Sequence, residues 1–302
     1  MDWFGLVWTA TLLNVLTGLV LAKELSATRI GSRIDVMVGS DFFTSYRFSS
    51  DEKYPFFFPV NAPSGASVTS MRNGKYPHHS SLFFGCDKVN GGNYWQDGNA
   101  AGQILSEGAL IVKGSGREIV ISDVCHWKRP GAEQPFRDTR RIVITAPDPA
   151  VRQIDVEIVL EALIDVNIGK TNHSFFSVRM DPDLTPVMGG TMINAEGDSG
   201  EKATFGKPSP WMVCFGPRTA GVVEGLAIFQ HPGNRWAPSP WFTRDYGFMS
   251  PTPMYWPSND TGTRLDRGEK VRLRYRVLVF AGEPDRETLS RAFAVYAASS
   301  TP

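Results

Sequence analysis

Apolar and polar residues alternate over long stretches of this chain. Ile154, Val156, Ile158, Leu160, Ala162, Ile164, Val166 and Ile168 occupy consecutive even positions, with Asp155, Glu157, Glu161, Asp165 and Asn167 between them. A period of two predicts one long strand with a buried face and a mainly wet face. Val271, Leu273, Tyr275, Val277 and Val279 repeat the pattern. Arg272, Arg274 and Arg276 lie opposite them, which predicts a solvated sheet face. Shorter strands are expected at 34–38, 42–48, 66–71, 80–85, 103–113, 117–127, 139–146, 173–180, 211–215 and 222–230, punctuated by Gly, Pro, Asn and Asp. One helix is expected near the C-terminus. Pro284 suits its first turn, Asp285 and Glu287 complement the dipole, and Leu289, Ala292, Phe293 and Tyr296 share a face.

No helices alternate with the strands and no repeat interrupts them. The pattern therefore predicts an all-β fold: a large antiparallel β-sandwich with one C-terminal helix, a single domain over residues 23–302. Residues 3 to 22 carry no charge, are about long enough to span a bilayer, and end in Val20-Leu21-Ala22 before Lys23-Glu24. Residues 1–22 are expected to be a secretory signal peptide cleaved after Ala22, which places the protein outside the cytoplasm, secreted or periplasmic. A retained N-terminal anchor is the alternative, because Asp2 stands where a basic residue is usual.

Charge removes whole classes of partner. The chain holds 31 Lys and Arg against 31 Asp and Glu. Asp2 is the one charge before Lys23, so loss of residues 1–22 barely alters the balance. No basic excess offers itself to nucleic acid, and no polybasic segment to a membrane surface. Cys86, Cys125 and Cys214 are far apart, with no paired spacing, and read as buried small hydrophobes.

The nucleotide-binding and hydrolase signatures are missing. The chemistry concentrates instead in four segments, which hold four of the five histidines. A proline turn, Tyr76-Pro77, delivers His78 and His79 into an apolar strand. Successive strand residues face opposite ways, so only one of them reaches a given pocket. The Gly-rich loop after it runs through Asn90 to Tyr94-Trp95, offering amides and rings to a hydroxyl-rich ligand. His173 and Arg179 flank Ser174-Phe175-Phe176-Ser177-Val178. The loop from Asn194 to Glu201 presents Glu196 as a general acid. His231 ends an apolar strand and is followed by Trp236, Trp241, Arg244 and Asp245 on a proline-stiffened loop. His126, beside Trp127, reads as structural.

The segments YPHHSSLFFGCDKVNGGNYW, KTNHSFFSVRM, NAEGDSGEKATFGKPSPW and GLAIFQHPGNRWAPSPWFTRDYGFMSPTPMYW, with the strand RLRYRVLVFAGEP, resemble the bacterial family labelled methane oxygenase PmoA, from about residue 50 to residue 282. That resemblance implies a sandwich akin to the galactose-mutarotase-like supersandwich, whose members commonly handle sugars with histidine–carboxylate pairs. Methane oxidation would need a metal site and a dioxygen path, and the sequence demands neither.

Three functions stay open. The first is an extracytoplasmic carbohydrate-processing enzyme of epimerase, lyase or hydratase type, with no cofactor. In it His79 or His231 is the base, Glu196 the acid, and His173 a further catalytic candidate. His78, Asn90, Trp95, Arg179, Trp236, Trp241, Arg244 and Asp245 would hold a small-molecule or oligosaccharide ligand. The second is a non-catalytic glycan-binding sandwich using Trp95, Trp236 or Trp241. The third is a metal-dependent enzyme with ligands from His78 or His79, His173, His231 and Glu196.

Overall fold

The computed structural model describes residues 23–72, 74–218, 221–256 and 262–299. The expected signal peptide or anchor, residues 1–22, lies outside them. No helix among the described residues is long and apolar enough to cross a membrane.

Two nine-stranded antiparallel sheets face each other across one apolar core. The first runs, edge to edge, through Trp241–Arg244, Phe248–Pro251, Ser174–Arg179, Leu82–Cys86, Phe56–Val60, Asp41–Arg47, Arg33–Val38, Leu25–Ile30 and Ser115–Gly116. The second runs through Thr191–Asn194, Trp211–Pro217, Val223–Gln230, Lys270–Ala281, Val151–Ala162, Phe136–Asp148, Glu118–Lys128 and Gln103–Ser106, with Leu110–Lys113 also pairing with Glu118–Lys128. This is the expected all-β sandwich. Ile154, Val156, Ile158, Leu160 and Ala162 point into the shared core, as do Val271, Leu273, Tyr275, Val277 and Val279. Cys86, Cys125 and Cys214 are buried free thiols.

The outer face of the second sheet is not solvated where arginines were expected to meet water. Helix Arg286–Ala297 covers it, N-capped by Asp285, whose carboxylate accepts from the Glu287 and Thr288 amides. Leu289 and Tyr296 pack on Trp211, Val213, Ala227, Phe229, Leu278 and Phe280, forming a second core. Arg276 lies beneath this helix, paired with Asp155 at 2.7 Å and stacked on Tyr296. Arg274 donates to the Ser299 carbonyl, and only Arg272 of the three is fully exposed.

Other departures have local causes. The long strand expected through Ile168 stops at Ala162, and Val166–Ile168 pairs instead with Thr263–Leu265. Asn90 takes the reason with it: its amide donates to the Asp165 carbonyl and its oxygen accepts from the Asn167 amide, turning this segment toward the 87–92 loop. The strand expected over 103–113 breaks at Gly108, whose φ of +116° no other residue type adopts easily. Residues 66–71 make only isolated bridges, Ser67 to Asn61, Thr69 to Met180 and Met71 to Ser80. Their Ser67 and Thr69 side chains compete for the backbone groups a ladder would use.

Candidate functional site

The turn before strand Leu82–Cys86 separates the two adjacent histidines. The His79 amide donates to the Tyr76 carbonyl, Ser81 takes φ +62°, and the Tyr54 hydroxyl donates to the His78 carbonyl at 2.8 Å. With the backbone fixed, His79 turns inward and is 2 % exposed, while His78 remains partly exposed and lines a cavity. Neither histidine lies in a strand and both rings touch Trp95, so the turn rather than strand alternation separates them, leaving His78 and not His79 at the cavity.

Trp95 is the hub beneath them. Its ring lies 4.3 Å from His173 in a near-parallel stack, and 5.6 and 5.7 Å from His78 and His79. Phe83 and Phe248 close the remaining sides, and the indole N–H donates to Ser177 Oγ. Trp95 is fully buried. It is packed among these rings and forms part of the wall of the His78 opening, not the exposed platform for a sugar ring that was expected. The Asn93 side chain accepts from the Trp95 and Gln96 amides and donates to Asp97, shaping the loop that presents Gln96 and Asp97 outward.

Three polar openings meet along this loop. One of about 550 Å³ is lined by Lys53, His78, Gln96, Asp97 and Asn99, with the Arg72–Glu52 ion pair at its rim. A second, about 690 Å³, lies between Asp97 and Arg129, and a third, about 370 Å³, between His173 and Tyr255. Gln96 lines all three, and Asp87 and Lys88 join the second to the third. The volumes are those of small-ligand sites.

Backbone strain gathers here too. Among the described residues the non-glycine positions with positive φ are Arg72, Ser81, Lys88, Asn90, Asp97 and Phe175. Arg72, Lys88 and Asp97 line the openings, Ser81 shapes the histidine turn, Asn90 anchors the loop, and Phe175 follows His173. Such strain persists only where surrounding structure enforces it, and it concentrates at functional sites.

Burial sets the protonation of the groups around the openings. It holds His78 below the usual imidazole value, opposed by Asp97. The His78 ring nitrogens carry no hydrogen bond from the described residues. Burial brings Lys53 down to about 8, while Asp97 and Asp87 pull it up. Its ammonium donates to the Gly98 carbonyl at 3.0 Å. Burial, with neighbouring cations, takes His173 to about 4 and His79 to about 2. Asp87 is raised by the same burial. An imidazole held neutral thus shares a cavity with an ammonium that titrates near 8, a separation that suits general base and general acid.

These shifts make a stability prediction. His79 and His173 stay neutral in the fold but take up protons near pH 6.5 when unfolded. Their contribution is complete above that value and is lost as pH falls from about 6.5 toward 4, by about 1.4 kcal/mol per pH unit per histidine. The raised carboxylates of Asp87 and Asp123 act in the opposite sense. Urea unfolding of the wild type should steepen against pH in this window, and His79→Phe should remove about one proton from the slope. Equal slopes would remove His79 from this account.

Arg179 sits beside this cluster. It is 4 % exposed, and its guanidinium lies 4.4 Å from the Tyr246 ring and 5.4 Å from the Tyr76 ring. Nε and Nη1 have no hydrogen-bond partner, and neither does Nδ1 of His79. A cation–π contact contributes about 0.5–2 kcal/mol. Burying an unpaired ion costs several times that, so the rings alone leave this cation under-compensated.

Arg244 stacks on Phe242 and Phe205 and pairs with Glu201 at 3.0 Å. Asp245 accepts from the Glu201 amide, and its own amide donates to the Glu201 carboxylate. Phe242 touches His173, so this clip borders the cluster but is closed on itself. The carboxylate that engages Arg244 is Glu201, not Glu196.

Several expected site residues lie elsewhere. His231 accepts at Nδ1 from the Gly233 amide and Arg274, donates from Nε2 to the Ser299 carbonyl, and meets Tyr296 edge-on. These contacts tie the chain after the C-terminal helix to the second sheet, away from His78 on the first. Its nitrogens are saturated, which makes it structural. His231→Ala should leave turnover within about twofold of wild type while lowering stability, readable from paired kinetic and denaturation measurements. Glu196 is exposed, and its carbonyl accepts from Arg286 of the same helix. Trp236 stacks on the buried Phe175, and fully buried Trp241 donates to the Ser209 carbonyl. Neither is a platform at the openings. Asn90 spends its side chain on residues 165 and 167. His126 bonds Glu107 and Gln134, as a structural histidine does. Among the described residues no three His, Cys, Asp or Glu side chains are grouped to hold a metal, so the ligand set expected from His78 or His79, His173, His231 and Glu196 is not assembled.

The sequence reading passed over Lys53, Gln96, Asp97 and Glu201. Lys53 stands in Asp51-Glu52-Lys53, indistinguishable from a solvated turn. The Ile104 amide donating to its carbonyl, and its ammonium donating to the Gly98 carbonyl, bring it alongside the loop. Gln96 and Asp97 directly follow the motif ending at Trp95, so extending that loop by two residues would have reached them.

Comparisons with solved structures give distant likenesses. A "Putative kojibiose phosphorylase from human microbiome" is 8 % identical with a TM-score of 0.35, covering 91 % of this chain and 33 % of the other. A heparinase III with methylated lysines is 9 % identical with a TM-score of 0.35, covering 87 % of this chain and 35 % of the other. The chain thus spans about a third of the solved chains it matches. Among curated proteins none matches. The family model that matches residues 33–294 is described as a family of unknown function, without the methane-oxygenase label. The chain belongs to that family, DUF6807.

Proposed function

We propose that the protein carries out acid–base chemistry on a hydroxyl-rich carbohydrate outside the cytoplasm, an epimerisation, elimination or hydration, with His78 as base and Lys53 as acid. One observation carries the reading. A neutral imidazole without a hydrogen-bond partner among the described residues and an ammonium lowered to about 8 line the same polar cavity of about 550 Å³. Gln96, Asn99, Asp51 and Asp97 around them offer the alternating donors and acceptors that sugar hydroxyls use. The apolar run at residues 3–22 supports export.

In an elimination the imidazole takes the proton next to a carbonyl as the neighbouring C–O bond breaks and a double bond forms, and the ammonium protonates the departing oxygen. Hydration is this step in reverse, and in epimerisation the proton taken from one face of the carbon is replaced from the ammonium on the other. Both groups need to sit on opposite sides of neutrality, and burial puts them there. The second reading, a non-catalytic binding sandwich, has less support, because Trp95 and Trp241 are fully buried and the partly exposed Trp236 lines none of the three openings.

The test is incubation of the protein with a panel of plant and algal mono- and oligosaccharides, followed by proton NMR for new anomeric or vinyl signals. Conversion by wild type and its loss in His78→Ala and Lys53→Met support the reading. A bound sugar recovered unchanged would return the protein to the binding class.

A further inference from the structure

We propose that Arg179, with His79 and the Tyr76–Tyr246 pair around it, binds a carboxylate, borne by an acidic sugar or by a small free acid. The inference goes beyond the acid–base reading and does not depend on it, since it concerns a different set of side chains and its test measures binding.

Arg179 ends strand Ser174–Arg179, where its amide donates to the Ser81 carbonyl of the histidine turn. It is 4 % exposed, and no carboxylate is paired with it. Nε and Nη1 are both without partners, and the neighbouring His79 Nδ1, also enclosed, is without one. The other buried arginines among the described residues each face a carboxylate: Arg140 pairs with Asp138 at 2.7 Å, and Arg152, whose Nε also lacks a partner, lies 3.7 Å from Asp41. Around Arg179 the neighbours are rings instead. Tyr76 and Tyr246 stack on each other at 4.4 Å and are both partly exposed, so they stand between Arg179 and solvent. His79 lies flat against Tyr76 at 5.0 Å and touches His78 at 4.5 Å, which puts this cluster next to the His78 cavity.

A single buried cation among rings selects a single negative charge, because a dianion would remain half unpaired in the same low-dielectric surroundings. Two orphan nitrogens on one planar guanidinium select a group with more than one acceptor oxygen. A carboxylate has both properties, and charge-assisted guanidinium–carboxylate bonds are among the stronger ones available.

The test follows thermal unfolding of the full chain in sodium acetate, sodium D-glucuronate and D-glucose, with ionic strength held constant by a bulky sulfonate buffer salt. A saturable rise in Tm of several degrees is expected with a carboxylate and none with glucose. A rise with glucuronate but not acetate identifies an acidic sugar as the source; a rise with acetate identifies a free acid. Arg179→Met should abolish the rise while unfolding at or above the wild-type Tm without added acid, because it removes an uncompensated buried charge. If Arg179→Met does not fold, Arg179→Lys, which keeps the charge and loses the planar donors, should weaken the apparent affinity at least severalfold. No carboxylate effect on wild type, or an undiminished effect in the variant that folds, overturns the proposal.

Discussion

His78→Ala should lower turnover of the responsive sugar by about 10²–10⁴-fold, the span general base catalysis contributes. His78 lines the same cavity as Lys53, and its ring nitrogens take no hydrogen bond from the described residues. His79 is enclosed, His173 is stacked on Trp95, His126 bonds Glu107, and His231 is saturated by Arg274, Gly233 and Ser299. Lys53→Met should give a loss of the same order, and the double variant little more than either alone, because base and acid act in one step. Measured kcat and KM separate this from a binding defect. A rise in KM with unchanged kcat in both variants would make the two residues ligand holders rather than catalysts.

Trp95→Ala should cost about 3–5 kcal/mol of unfolding free energy, the range for truncating a buried large aromatic side chain. Its ring is enclosed by His78, His79, His173, Phe83 and Phe248, so the surroundings cannot collapse without moving the site. The variant also removes the indole N–H that Ser177 Oγ accepts, leaving that hydroxyl only its bond to Ser250 Oγ. Urea unfolding should show a lower midpoint, and turnover should fall even where the variant remains folded. Trp95→Phe should recover most of the stability, since it keeps an apolar ring in the same space. If Trp95→Ala unfolds within about 1 kcal/mol of wild type, Trp95 is not the buttress described.

The sheets were legible because burial enforces a period of two. Val151–Ala162 and Lys270–Ala281 appear in the sequence almost as they do in the fold. Helix Arg286–Ala297 was equally plain from Asp285 and its apolar face. What it covers was not: no local pattern says that Arg274 and Arg276 lie beneath a helix placed there by the tertiary fold. The histidine turn was visible as chemistry, but the separation of His78 from His79 comes from the turn and not from strand alternation. Choosing between them required knowing that the turn encloses His79 and leaves His78 at the cavity. Glu196 and His231 looked like partners because both stand in polar loops near the other motifs. Their hydrogen bonds to the C-terminal helix region are long-range facts. Lys53 carries no mark at all, because its lowered pKa comes from burial by Gly98 and its neighbours and not from its own segment.

The central claim is that His78 and Lys53 are the base and acid of one cavity. The measurement that tests it most directly is the pH dependence of kcat/KM from about pH 5 to about pH 10, for wild type and Lys53→Arg. The account predicts a bell. Its acid limb lies below 6.5, where burial puts His78, and its basic limb lies near 8, where burial puts Lys53. In Lys53→Arg the basic limb should leave the measured range, because a guanidinium keeps its proton throughout. A wild-type profile without a limb near 8, or the same limb persisting in Lys53→Arg, would contradict the assignment.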